Sequence, residues 1–110
     1  MSVRDLDDDT ARDFLSSHAL AFVFFKNPAC GSCREFEPVF ERAAAKHEDI
    51  AFCRVDSTAS PGIRAAFGVA NVPHLAVVKD RELAFSHTGG LSDDALESVI
   101  AQVREQAEES

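Results

Sequence analysis

LAFVFFKNPACGSCREFEPVF, residues 20–40, contains the change of rhythm on which the reading of the chain turns. Leu20–Phe25 is continuously apolar, short, and made of β-branched and aromatic side chains, the pattern of a strand buried on both faces. From Cys33 onward the apolar residues are Phe36, Val39, Phe40, Ala43 and Ala44, spaced to form one stripe on a helix. Between the two lies Cys30-Gly31-Ser32-Cys33. A cysteine pair at this spacing closes a small disulfide ring, binds a metal, or simply fills core.

Working outward, Pro38 interrupts the helical stripe and removes a backbone donor, and the helix is expected to end near His47. Ile50–Val55 reads as a second strand closed by Asp56-Ser57-Thr58, and such a strand–helix–strand unit is parallel and right-handed. Ser60-Pro61-Gly62 breaks the chain before a short helix, Ile63–Phe67, that stops at Gly68. Leu75–Val78 and Glu82–His87 read as strands joined by the turn Lys79-Asp80-Arg81, and Gly89-Gly90 ends the sheet. Ser92-Asp93-Asp94 caps a last helix with Leu96, Val99, Ile100 and Val103 on one face. At the other end, Thr10 and Asp13 form a capping signal for a helix over Asp9–Ser17 that carries Phe14 and Leu15. The layout is helix, β-α-β, short helix, β-hairpin, helix. It predicts an α/β sandwich whose small mixed sheet is covered on both sides.

A length of 110 residues predicts one domain, 1–110, and 45% apolar content with nine Phe predicts an ordered core. The net charge is −8, with acids gathered at the two ends as Asp5, Asp7, Asp8 and Asp9, then Glu105, Glu108 and Glu109; these read as solvated faces. With three lysines in all, the chain lacks the basic cluster that nucleic acid or an anionic membrane surface requires. MSVRDLDDDT has neither the basic nor the apolar part of a signal peptide, and Ala19–Phe25 is too short to span a bilayer, so the expected location is cytoplasmic. In a reducing compartment a close cysteine pair is catalytic, redox-sensing or metal-binding rather than a structural staple. A closed metal site wants four ligands, and only Cys53 and scattered histidines are left to join the pair; no metal is expected. Cys53 alternates with Phe52 and reads as a packed core thiol.

The chain from about Leu6 to Val103 resembles the thioredoxin family. Cys30-Gly31-Ser32-Cys33 stands where that family writes Cys-Gly-Pro-Cys, and Phe25 stands at its aromatic on the central strand. Pro38 matches its helix proline, Val55-Asp56 its acidic strand end, Asn71-Val72-Pro73 its cis-proline, and Gly89 the glycine before the last helix. The resemblance implies a thioredoxin fold, a central mixed β-sheet flanked by helices on both faces. It also implies thiol-disulfide exchange with no bound cofactor, on disulfide-containing proteins or small thiols, with electrons from a separate reductase or low-molecular-weight thiols. Cys30 then attacks, Cys33 resolves, Gly31 keeps the approach open, and a cis Val72–Pro73 bond offers backbone to an extended substrate.

The helix N-terminus favours the Cys30 thiolate by roughly 0.3–2 kcal/mol. Lys26 and Arg34 are neighbouring cations that add to this, while Glu35 and Glu37 oppose it. Three positions depart from the family. Ala29 replaces its tryptophan, which bears on recognition by a reductase. Ser32 replaces the motif proline, loosening the turn and adding a hydroxyl for a helix N–H. Phe24 replaces its buried aspartate, so no carboxylate assists Cys33. His74 follows the proline and either perturbs the thiols or sits on the strand. The competing reading is a thioredoxin-like binding or chaperone module in which redox turnover is secondary.

Overall fold

The apolar run at 20–25 becomes the middle strand of a five-stranded sheet. The structure, a computed structural model, describes residues 3–109. In chain order the elements are β1 (Val3–Leu6), α1 (Ala11–Ser16), β2 (Leu20–Lys26), α2 (Gly31–Lys46), β3 (Ala51–Asp56), α3 (Pro61–Ala66), β4 (His74–Lys79), β5 (Glu82–Thr88) and α4 (Asp93–Glu109). The strands lie in the order β1-β3-β2-β4-β5. β1, β3 and β2 run parallel, and β4 and β5 join antiparallel. No helix among the described residues is long and apolar enough to cross a membrane.

Strand alternation divides the core in two. Phe22, Phe24, Phe52, Leu75 and Val77 face α2 and α4, meeting Cys33, Phe36, Phe40, Leu96 and Ile100. Ala21, Val23, Phe25, Cys53 and Val55 face α1 and α3, meeting Leu15 and Ile63. Every side chain from Ala21 to Phe25 is fully buried, and each phenylalanine so placed contributes about 1.5–3 kcal/mol over an exposed one. The continuous apolar run is thus explained by helices on both sides of β2.

The N-terminus departs from the sequence reading. Val3–Leu6, passed over there as part of an acidic end, is an edge strand pairing with β3 from Val3↔Phe52 to Leu6↔Val55. Its two end residues are buried and its two middle ones exposed, so it shows no period of two. α1 starts at Ala11 and its N-cap Thr10 makes no side-chain cap bond. Asp7 does that work instead: its Oδ1 accepts from the N–H groups of Asp9 and Thr10, both at 2.9 Å, and from the Thr10 hydroxyl at 3.0 Å. Asp8 accepts from the N–H of Gly62 at 3.0 Å and of Ile63 at 2.8 Å, capping α3 from across the molecule. A Cβ at Gly62 would sit 3.0 Å from that carboxylate, so a larger residue would push the Asp8 side chain back by a few tenths of an ångström. These acids are structural, not merely solvating. The side chains of Glu108 and Glu109 lie outside the described residues.

α3 also starts earlier than read, with Pro61 in its first turn. β4 and β5 are bulged: Phe85 lies opposite Val77 but Leu83 lies opposite Val78, leaving Ala84 as the extra residue.

Candidate active site

Past Lys26 the chain leaves the sheet through Asn27-Pro28-Ala29. The Asn27 side-chain Oδ1 accepts from the Ala29 N–H at 2.9 Å and its carbonyl from the Cys30 N–H at 3.2 Å, a tight turn that delivers Cys30 to the start of α2. Cys30 is the N-cap, with extended backbone, and the Cys33 N–H donates to its Sγ at 3.1 Å. The sulfur occupies the place a serine or aspartate oxygen usually takes at a helix start. Cys30 and Cys33 are disulfide-bonded, with Cα atoms 5.2 Å apart.

The two sulfurs sit differently. Cys30 is half-buried, and a Cβ at the adjoining Gly31 would point into open space, with no atom within 4 Å beyond its chain neighbours and its own helix backbone. Cys33 is only 1% exposed and lies in the core cluster with Phe24, Phe36 and Leu75. Phe24 packs edge-on against Phe36 at 5.0 Å between ring centres and against Phe40 at 5.4 Å. Among the described residues no Asp or Glu is buried.

The charges around the motif are arranged in ways the sequence did not reveal. Lys26 Nζ pairs with Glu37 at 3.3 Å. Glu37 is also held by Arg54, which bonds Asp5 at 2.9 Å and approaches Glu41 at 3.5 Å. Lys26 and Glu37, expected to pull the thiol in opposite directions, therefore compensate each other. Glu35 is exposed. Arg34 is exposed too, its side chain without a hydrogen bond or ion pair among the described residues. The Ser32 hydroxyl, expected to serve a helix N–H, makes no such bond among the described residues: the residue is exposed, and the neighbouring Cys33 N–H donates to Cys30 Sγ. Ala29 is exposed just before Cys30.

The Val72–Pro73 bond is cis. Pro73 is buried, its carbonyl accepting from the Gly89 N–H at 2.8 Å, while half-buried Val72 and Cys30 both pack against the core cluster containing Cys33. His74 is 8% exposed, opposite Phe25 on the sheet. Its Nδ1 lies 3.0 Å from the Thr88 hydroxyl and its Nε2 has no partner. Burial, and then the charge of His87, lower its pKa from the ordinary value of 6.5.

Cys53 stands apart on β3, facing α1 and α3, so the sheet separates it from Cys33. Its thiol donates to the Phe22 carbonyl at 3.3 Å, and burial pushes its pKa up to about 12. Among the described residues no group of three or more His, Cys, Asp or Glu side chains is placed to hold a metal.

Sequence reading missed Asn27 and the Glu37–Arg54 pair. The Asn-Pro dipeptide signals the first; nothing local signals the second.

Residues 2–102 match the family model described as Thioredoxin. The chain is 40% identical to "Putative thioredoxin 2" of Streptomyces coelicolor over 94% of its own length and 77% of that protein's. It is 31% identical to a protein disulfide-isomerase of Arthroderma benhamiae, matching 89% of this chain but 19% of that longer protein. Among solved structures, a mutant thioredoxin from Halobacterium salinarum NRC-1 superposes with a TM-score of 0.83 at 28% identity, covering 91% of this chain and 88% of that one.

Proposed function

The chain belongs to the thioredoxin family and is a thiol-disulfide oxidoreductase, and on that premise we propose that Cys30 is the attacking thiol and Cys33 the resolving thiol of one domain spanning residues 1–110. The observation that carries this assignment is the bond from the Cys33 N–H to Cys30 Sγ at the start of α2. In the reduced protein the same donor, with the positive end of the helix, meets a thiolate, and a hydrogen bond to a charged acceptor is about twice as strong as one to a neutral acceptor. Cys30 is the sulfur that a substrate can reach.

The Cys30 thiolate attacks one sulfur of a substrate disulfide. The substrate S–S bond breaks, its other sulfur leaves as a thiolate and takes a proton, and Cys30 is left in a mixed disulfide. Cys33 then loses its proton and attacks Cys30 Sγ, releasing the second substrate thiol and forming the Cys30–Cys33 bond. Two electrons have passed to the substrate, and a donor dithiol or two donor thiols return the protein to its starting state. Electrons move from sulfur to sulfur, so no cofactor is required.

Cys33 must ionise among Phe24, Phe36 and Leu75, where a thiolate loses its hydration and, with no Asp or Glu buried among the described residues, no buried carboxylate takes the proton. We assign the slow step to this resolution. The backbone of Val72 beside Pro73 serves as the platform for an extended substrate segment. Gly31 and Ser32, exposed between the cysteines, leave that approach open. The substrates are protein or small-molecule disulfides. The donor is a separate reductase or a low-molecular-weight thiol pool, with Ala29 favouring the latter, and the cytoplasm is the compartment that supplies either.

The test is reduction of insulin disulfides with a small dithiol as donor. The wild-type protein accelerates the reaction and Cys30→Ser falls to the uncatalysed background; turnover surviving in Cys30→Ser overturns the assignment.

A further inference from the structure

The other face of the sheet carries a feature that thiol exchange does not use. Between α1, α3 and the β4–β5 hairpin runs an open groove of about 340 Å³ with Leu15, Phe67 and Val78 among its walls. It continues between α1 and α3 toward Gly62 as a second depression of about 410 Å³ that shares Arg12, Leu15, Ala66 and Phe67.

Leu83 reaches this groove only because of the bulge. Along β5, Phe85 packs with the cluster under α2 and α4, and simple alternation would send Leu83 to the same side. The extra residue Ala84 reverses this and sets Leu83 opposite Val78, on the groove side. There it is 53% exposed, the one large apolar side chain so exposed among the described residues.

At the hairpin end the rim is basic on an acidic molecule, while Asp8 lines the far depression near Gly62. Arg12 and Arg81 both line the groove, and neither side chain has a hydrogen bond or ion pair among the described residues, although the chain carries a net charge of −8. Arg81 is held at φ 72°, left-handed backbone that glycine or asparagine takes more readily. A guanidinium is therefore placed at a strained position, beside an apolar side chain re-aimed by a bulge.

We propose that this groove is a docking site for an acidic amphipathic segment of a partner protein, whose apolar side chains lie on Leu15, Phe67 and Leu83 while its carboxylates meet Arg12 and Arg81. The guanidinium fork suits a carboxylate. The rest of this acidic surface repels such a segment, which gives the groove its selectivity. A second copy related by a two-fold axis would bring arginine rim to arginine rim, and the open outer side fits a chain laid across it better than an enclosed small molecule. The dithiol, built on α2 beneath the opposite face of the sheet, stays free while the partner is held.

The probe is a synthetic peptide with Trp and Leu one helical turn apart, flanked by glutamates. The protein has no Trp and no Tyr, so the peptide's own emission reports burial. Saturable binding with a blue shift is expected. It should be equal for oxidised and reduced protein, and at least tenfold weaker for Arg12→Glu/Arg81→Glu and for Leu83→Asp. A peptide with lysines in place of the glutamates should reverse the preference between the wild type and the double variant. Insulin reduction by these variants should match the wild type, showing that they fold. Wild-type affinity in the variants overturns the proposal. So does self-association through the groove in sedimentation, binding of decanoate without binding of the peptide, or loss of peptide binding when the dithiol is alkylated.

Discussion

Cys33 and Cys53 are both fully buried, one under each face of the same sheet, and only Cys33 is bonded to a second sulfur. Cys33 lies one helical turn beneath a sulfur at the surface, and its own N–H donates to that sulfur. Cys53 lies in mid-strand, its thiol donating to a carbonyl and its pKa raised to about 12 by burial. Burial alone therefore says little about a thiol. Reactivity comes from a helix start, a free backbone donor and a partner sulfur within reach.

The largest effects come from the thiols themselves. Cys30→Ser should abolish turnover, and Cys33→Ser should stop the cycle at a mixed disulfide that is visible by mass. Cys53→Ala should leave turnover unchanged while losing about 1 kcal/mol of stability in chemical denaturation. A loss of turnover in Cys53→Ala would break the contrast between the two faces.

Phe24 sharpens it. Phe24→Asp removes a fully buried ring from the cluster around Cys33, so denaturation should show a loss of at least about 3 kcal/mol. The new carboxyl is expected to speed resolution nonetheless, raising turnover per folded molecule. If stability falls and turnover does not rise, proton transfer from Cys33 is not what limits the cycle.

Glu37 comes next. Glu37→Gln leaves Lys26 unpaired beside the motif and Arg54 with Asp5 and Glu41 alone. With Glu37 and Arg54 both mostly buried, a loss of about 1–2 kcal/mol is expected. Alkylation of reduced Cys30 at neutral pH should quicken, since a freed cation favours the thiolate. An unchanged rate would show that Lys26 does not act on the dithiol.

The smallest effect belongs to His74. Its folded pKa lies below the ordinary 6.5, so the unfolded chain takes up a proton first as pH falls. The stability this residue contributes is complete above about 6.5 and is lost as pH drops through the lower folded value. His74→Gln should flatten the stability profile from pH 6.5 downward, and an unaltered slope would assign the effect to other groups.

What the sequence made legible follows from range. β2, α2 and the motif between them are local patterns, readable from period and composition, and α4 announces itself by Ser92, whose hydroxyl accepts from the Ala95 N–H at 3.2 Å. β1 is hidden because a four-residue edge strand with Arg4 and Asp5 at its centre has no face to alternate. Asp8 caps a helix more than fifty residues away, and Glu37 meets Arg54 only after α2 folds onto β3. The bulge at Ala84 is likewise set by pairing rather than by any local signal. At the candidate site, the pairing of Cys30 with Cys33 and the cis bond before Pro73 were readable. The compensation of Lys26 by Glu37, and the idle hydroxyl of Ser32, required coordinates.

The most direct test of the account is a redox titration. The protein is equilibrated across thiol/disulfide buffers, unfolded in an alkylating agent and weighed, each 30 mV of potential corresponding to about 1.4 kcal/mol for a two-electron couple. The account predicts one transition between three alkylated cysteines and one, with Cys53 the residue alkylated throughout and Cys30 joined to Cys33 in the oxidised form. An absence of that intramolecular disulfide at every potential, or its formation through Cys53, would contradict it.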